Sequence, residues 1–105
     1  MPTPSRVTRK VKQALRWLRK NFPVATPTIV RVVAKQPDIF GVCLIGDGRA
    51  LIRLAQDSDA VMTEVLIEEY CHVLRSECPL PQKADHDPLF WAIFAQVSLS
   101  WRDDE

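Results

Sequence analysis

A chain of 105 residues, 47% apolar, 26% charged and with a net charge of +1, holds one modest hydrophobic core and not two, in the proportions of an ordinary globular domain. Those proportions exclude a disordered chain, and the short apolar runs exclude a membrane-spanning helix. The basic N-terminus is followed by no hydrophobic region, so no signal peptide is expected, and a single cytoplasmic domain over residues 1–105 is the default.

Pro2 and Pro4 give residues 1–4 a loose start, and Ser5 or Thr8 can cap the helix that follows. Val7, Val11, Ala14, Leu15 and Leu18 then recur at helical spacing up to Asn21, before Pro23. Between them stand Arg6, Arg9, Lys10, Lys12, Arg16, Arg19 and Lys20, with no acid among residues 1–20. That stripe permits an anionic partner such as nucleic acid, although a solvated Lys/Arg face is the commoner use and no aromatic residues interleave it for base stacking.

Thr28 to Ala34 is rich in β-branched residues and predicts a strand closed by Gln36-Pro37-Asp38. Two further strands, Ile39 to Ile45 and Arg49 to Ala55, flank Gly46-Asp47-Gly48, whose glycines supply the positive φ of a tight hairpin. The middle of the chain is therefore expected to form a three-stranded antiparallel sheet. Asp57-Ser58-Asp59 offers N-caps for a helix from Ala60 to about Glu77. Met62, Leu66, Ile67, Tyr70, Val73 and Leu74 form its apolar arc, while Glu68, Glu69 and His72, with Val61 and Val65, fall on the other side. Pro79-Leu80-Pro81 breaks the chain. Asp87-Pro88 then starts a last helix with a cap and a proline at the first position, and Phe90, Ile93 or Phe94, Val97 and Trp101 form its buried stripe. Trp17, Trp91 and Trp101 all sit at core spacings.

Chemistry concentrates in Glu68-Glu69-Tyr70-Cys71-His72 and His86-Asp87-Pro88-Leu89-Phe90-Trp91. Glu68 and His72 are one helical turn apart and share a narrow sector, which is the spacing at which two side chains can grip one ion. The pentapeptide alone fits equally well a solvated face running Glu64, Glu68, His72, Arg75. His86, in the turn that opens the next helix, is placed where a folded-back helix pair would bring it against His72. The three cysteines, Cys43, Cys71 and Cys78, are an odd number without a C-x-x-C pair, which argues against a disulfide framework or a zinc ribbon. Cys71 falls toward the apolar arc and is read as core.

On these residues, over about Phe40 to Trp101, the chain resembles the SprT-like and related minimal gluzincin-type metallopeptidase domains. Their helix reads Leu-(Ile/Leu)-His-Glu-x-x-His-x-Leu and a later His-(Gly/Asp)-Pro-x-Phe-Trp segment supplies a ligand. Leu66 to Leu74 and His86 to Trp91 match except at Glu68, which stands where the family has histidine. The resemblance implies an α+β, zincin-like fold built from an N-terminal helix, the sheet, the motif helix and a C-terminal helix. It further implies metal ligation by His72 and His86, with Glu68 in the altered position, and Glu69 as general base for hydrolysis of a peptide or protein substrate. Zinc accepts two histidines and one glutamate, and oxygen ligation also admits iron or manganese. The alternative is a catalytically degenerate zincin-like domain, without metal, that binds protein or nucleic acid.

Overall fold

Why the motif helix becomes the centre of the molecule follows from what each neighbour has to bury. The computed structural model describes residues 6–104, so the loose start expected for residues 1–4 and the Ser5 cap lie outside the described residues. Helix α1 spans Arg9–Asn21, strands β1, β2 and β3 span Thr28–Val33, Gly41–Gly46 and Arg49–Ala55, and helices α2 and α3 span Asp59–Ser76 and Pro88–Asp104. The order of helix, three strands, helix, helix is as expected, in an α+β architecture.

Thr8 caps α1: its Oγ1 accepts from the Val11 N–H at 3.4 Å and its carbonyl from the Lys12 N–H at 2.9 Å. The buried face of α1 is Val11, Ala14 and Leu18, so its cations are left facing outward. Ser58 caps α2 through Val61 N–H. α2 packs against β2 and β3 on one side and against α1 and α3 on the others. Leu66, Tyr70, Cys71 and Val73 are fully enclosed there with Ile52, Leu54, Phe90 and Val97. Cys71 is thus core, and burial pushes its thiol up to about 12.

The sheet corrects the antiparallel expectation. Its order is β1-β3-β2, with β3 antiparallel to β2 but parallel to β1. The reason lies in burial. β3 contributes Ala50, Ile52 and Leu54 to the core, all at most 1% exposed, and takes the central place, whereas β2, bounded by Gly41 and Gly46, is left at the edge. The β1–β2 connection therefore steps across β3 instead of closing a meander. The hairpin turn also differs in detail: positive φ falls on Asp47 and Gly48, not on Gly46, which is the primed turn that matches strand twist.

Two contacts fix how α2 meets its neighbours. Gly41 lies so close to α2 that a Cβ built on it would meet Val65 Cγ1 at 2.5 Å and the Arg53 carbonyl oxygen at 3.1 Å. Strand β2 approaches the helix only because that atom is missing. At the other end, Arg75 belongs to no solvated face: it is 1% exposed. Its Nε and Nη2 donate to both carboxylate oxygens of Asp87, and its Nη1 and Nη2 to the carbonyls of Leu80 (3.1 Å) and Pro81 (2.9 Å). Asp87 Oδ1 in turn accepts the Phe90 N–H at 2.9 Å, so a single carboxylate both caps α3 and ties it to α2.

The guanidinium and the Phe90 N–H hold the Asp87 carboxyl below its usual range. A depressed carboxyl stabilises the fold above its unfolded value of about 4, and that contribution is lost as pH falls through the lower folded value. Arg75→Met is expected to lower the melting temperature at pH 7 and to flatten its dependence on pH below about 4. Thermal denaturation followed by circular dichroism across that range checks both. Gly41→Ala should cost about 1–3 kcal/mol, the usual range for overpacking, in chemical denaturation.

Candidate functional site

Helix periodicity puts Glu68, Glu69 and His72 on the side of α2 that faces β2, and the Arg75–Asp87 clamp folds the following loop back over that side. The result is a cleft of about 500 Å³ lined by Gly41, Val42, Cys43 and Ile45 of β2, by Glu68, Glu69 and His72 of α2, and by Gln82, Asp85 and His86 of the connecting loop.

Within it the two histidines meet. His86 Nε2 and His72 Nε2 are 3.2 Å apart across fourteen residues of sequence. Phe90, fully buried, forms the floor: its ring stacks on His72 at 4.4 Å and lies 4.6 Å from His86. Trp91 closes the outer side of His86 at 5.1 Å while remaining 48% exposed, so it is a wall of the site and not the core residue its spacing suggested. Trp17 and Trp101 do pack together, edge to face, and Trp17 Nε1 donates to Asp104 Oδ2.

The electrostatics are those of two imidazoles among carboxylates. Burial lowers the His72 pKa, as does the neighbouring His86, while Asp85 and Glu68 oppose the shift. Glu69, only 7% exposed, is raised to about 7 by burial first and then by the charges of Glu68 and Asp85. Burial, followed by the charge of Glu69, pushes the Cys43 thiol up to about 12. A neutral thiol therefore faces the cleft at neutral pH.

The donor set can be tested against a metal ion. Two ligands bound at about 2.0–2.1 Å in tetrahedral geometry lie roughly 3.3 Å apart, which the histidine separation matches. Glu68 lines the same cleft one turn before His72, yet no three His, Cys, Asp or Glu side chains among the described residues are drawn together as an ion-holding group. Two of the three donors expected from sequence are thus brought together, while Glu68 lines the same cleft without joining them in such a group. Sequence reasoning missed Asp85, Gln82 and Cys43. Cys43 had a signal, since alternation along β2 puts it on the same face as Gly41 and Ile45. Asp85 and Gln82 had none, because their place depends on the clamp. No protein-family model and no curated protein matches the chain.

Removing the floor should be costly. Phe90→Ala is expected to destabilise the fold by about 3–5 kcal/mol in chemical denaturation, the range for a buried aromatic. The imidazoles offer a second check: in metal-free protein, His86→Ala should raise the pH at which the His72 ring titrates in NMR, because the opposing positive charge is gone.

Proposed function

We propose that this chain is a zincin-like, metal-dependent peptidase in which His72, His86 and Glu68 hold a divalent ion and Glu69 is the general base. The observation that carries the reading is the 3.2 Å approach of two imidazole nitrogens beside a buried carboxylate, in a cleft bordered by the edge strand of a sheet. A bound ion of this type supplies Lewis acidity, polarising a peptide carbonyl and acidifying water. The chain's own residues do the rest. Glu69, with a proton affinity raised to about 7, takes and returns protons near neutral pH, as a general base must. Phe90 stacks on the His72 ring and packs, tilted, against His86, which backs both imidazoles on that side. The unpaired edge of β2 offers main-chain donors and acceptors to an extended peptide, aligning it along the cleft. Glu68 adds a negative charge to the ligand set, which moderates the acidity that the ion confers.

A second reading keeps the groove and abandons the chemistry, as a binding module for protein or nucleic acid. What favours it is Glu68 itself, a carboxylate where the resemblance asks for histidine. Among the described residues no helix is long and apolar enough to cross a membrane.

Zinc titration by calorimetry separates the two readings. The peptidase reading expects stoichiometric binding and, at about one hundred times the dissociation constant, about 2.7 kcal/mol of added stability. His86→Ala should remove both effects. Glu68→His should tighten zinc binding and raise peptide hydrolysis, and Glu69→Gln in that background should abolish hydrolysis while sparing the bound zinc. Correctly folded Glu68→His protein that takes up no zinc would sink the metal site, and zinc uptake without turnover would leave the binding module.

A further inference from the structure

Pairing fixes which residues of β2 open onto its free edge. The Ala55 N–H donates to the Phe40 carbonyl at 2.9 Å, and the register sets Val42 against Arg53 and Leu44 against Leu51. By the alternation of an antiparallel ladder, Val42 and Leu44 commit their main-chain groups to β3. Gly41, Cys43 and Ile45 therefore turn theirs outward, and among the described residues no main-chain hydrogen bond from outside the sheet reaches them. All three also line the cleft, so the open main-chain groups and the cleft wall belong to the same residues.

The opposite edge of the sheet is covered at Thr28 of β1, whose carbonyl accepts from Arg19 Nη2 at 2.6 Å. β2 has no such cover. Its sequence, Gly41-Val42-Cys43-Leu44-Ile45-Gly46, also holds no charge and no proline, the usual guards against the addition of another strand.

The two faces beside this edge differ in charge. Glu68, Glu69 and Asp85 stand on the cleft side. On the outer side Val42 is followed across the sheet by Arg53 and Arg31, neither of them ion-paired among the described residues. The next outer row is Leu44, Leu51 and Ile29, with Leu44 46% and Ile29 47% exposed. The acids nearest along the strand, Asp38 and Asp47, lie in the turns beyond its two ends.

We infer that β2 takes an extended peptide as a fourth, antiparallel strand, one that alternates apolar residues set outward beside Val42 and Leu44 with cationic residues turned toward Glu68 and Asp85. The inference rests on the reading of the cleft as a peptide site and adds the class of peptide, selected partly on the face of the sheet away from the cleft. Positions opposite Val42 and Leu44 are the non-hydrogen-bonded pairs, where side chains stand closest. An apolar residue there lengthens the row Ile29, Leu51, Leu44 by one strand, whereas a cation there lies near Arg53 and gains only by turning inward. A second copy of this chain fits the edge poorly. Two β2 strands paired about a two-fold axis would set their cleft faces on one side of the joined sheet, acid beside acid.

Fluorescence anisotropy with the metal-free full chain reads the pairing without hydrolysis. The probe is a labelled heptapeptide alternating lysine and valine, with lysine at both ends, and a single short strand is expected to bind in the micromolar range. Its lysine amides carry the bonds to β2, so N-methylation of the lysines should weaken binding about tenfold or more, while N-methylation of the valines should leave it nearly unchanged. Leu44→Lys should weaken the unmodified peptide by a similar factor, with an unchanged circular dichroism spectrum. Because no metal enters the assay, failure of zinc to bind leaves this inference standing. Hydrolysis that ignores which amides are methylated would instead remove the inference and keep the peptidase. Equal binding of the two methylated peptides, no binding at about 1 mM peptide, or a stable dimer of the chain alone that Leu44→Lys disrupts, would overturn it.

Discussion

One buried guanidinium decides whether this molecule has a site at all. Arg75 lies at the end of α2 with its charge enclosed, and a buried charge is tolerable only when every donor is matched. Asp87 and the carbonyls of Leu80 and Pro81 match them. In meeting that demand they also dictate the path of the chain, because the three residues lie on both sides of the turn that reverses direction between α2 and α3. His86 immediately precedes Asp87, so the contact that neutralises the arginine sets the histidine down beside His72. Asp87 then caps α3, and the helix that begins there carries Phe90 under both rings.

The cleft's chemistry follows from an imbalance. Glu68, Glu69 and Asp85 gather around two imidazoles, with no lysine or arginine among the lining residues. Burial, and after it the negative charge of Glu68 and Asp85, raises the cost of ionising the most enclosed carboxyl, Glu69. A bound divalent cation would reverse this local balance, which gives the same residues two different protonation patterns according to occupancy.

How much of this was legible beforehand differs from element to element. Helix boundaries came from caps and prolines: Thr8, Ser58 and Asp87-Pro88 are local signals, and they stand where the chain begins its helices. The pairing of His72 with His86 was legible because two motifs at a recognisable spacing imply a fold-back. The parallel β1–β3 pairing was not, since local alternation specifies a strand and its two faces but not which neighbour it selects. Arg75 was misplaced for a related reason. A cation in the last turn of a helix is favoured by the helix dipole whether it faces water or not, so its burial becomes visible only once Asp87 is known to lie opposite. Trp91 erred in the other direction: large aromatic residues at core spacing usually pack inward, and this one stands beside a histidine.

The close approach of β2 to α2 at Gly41 bears on how sharply the cleft is defined. A cavity walled by long side chains has a fluctuating outline, because each rotamer hop moves an atom by several ångströms. Along this flank the boundary is main chain, held by the hydrogen-bond ladder to β3 and pressed against Val65 and Glu69 with no intervening Cβ. Its position is inherited from the sheet and not from any χ angle. The opposing wall, with Gln82, Asp85 and His86, belongs to a connecting loop outside the sheet, so its position is inherited from the contacts that Arg75 makes with Leu80, Pro81 and Asp87. The two flanks of the cleft thus take their places from different sources, one from a strand ladder and the other from a single buried side chain.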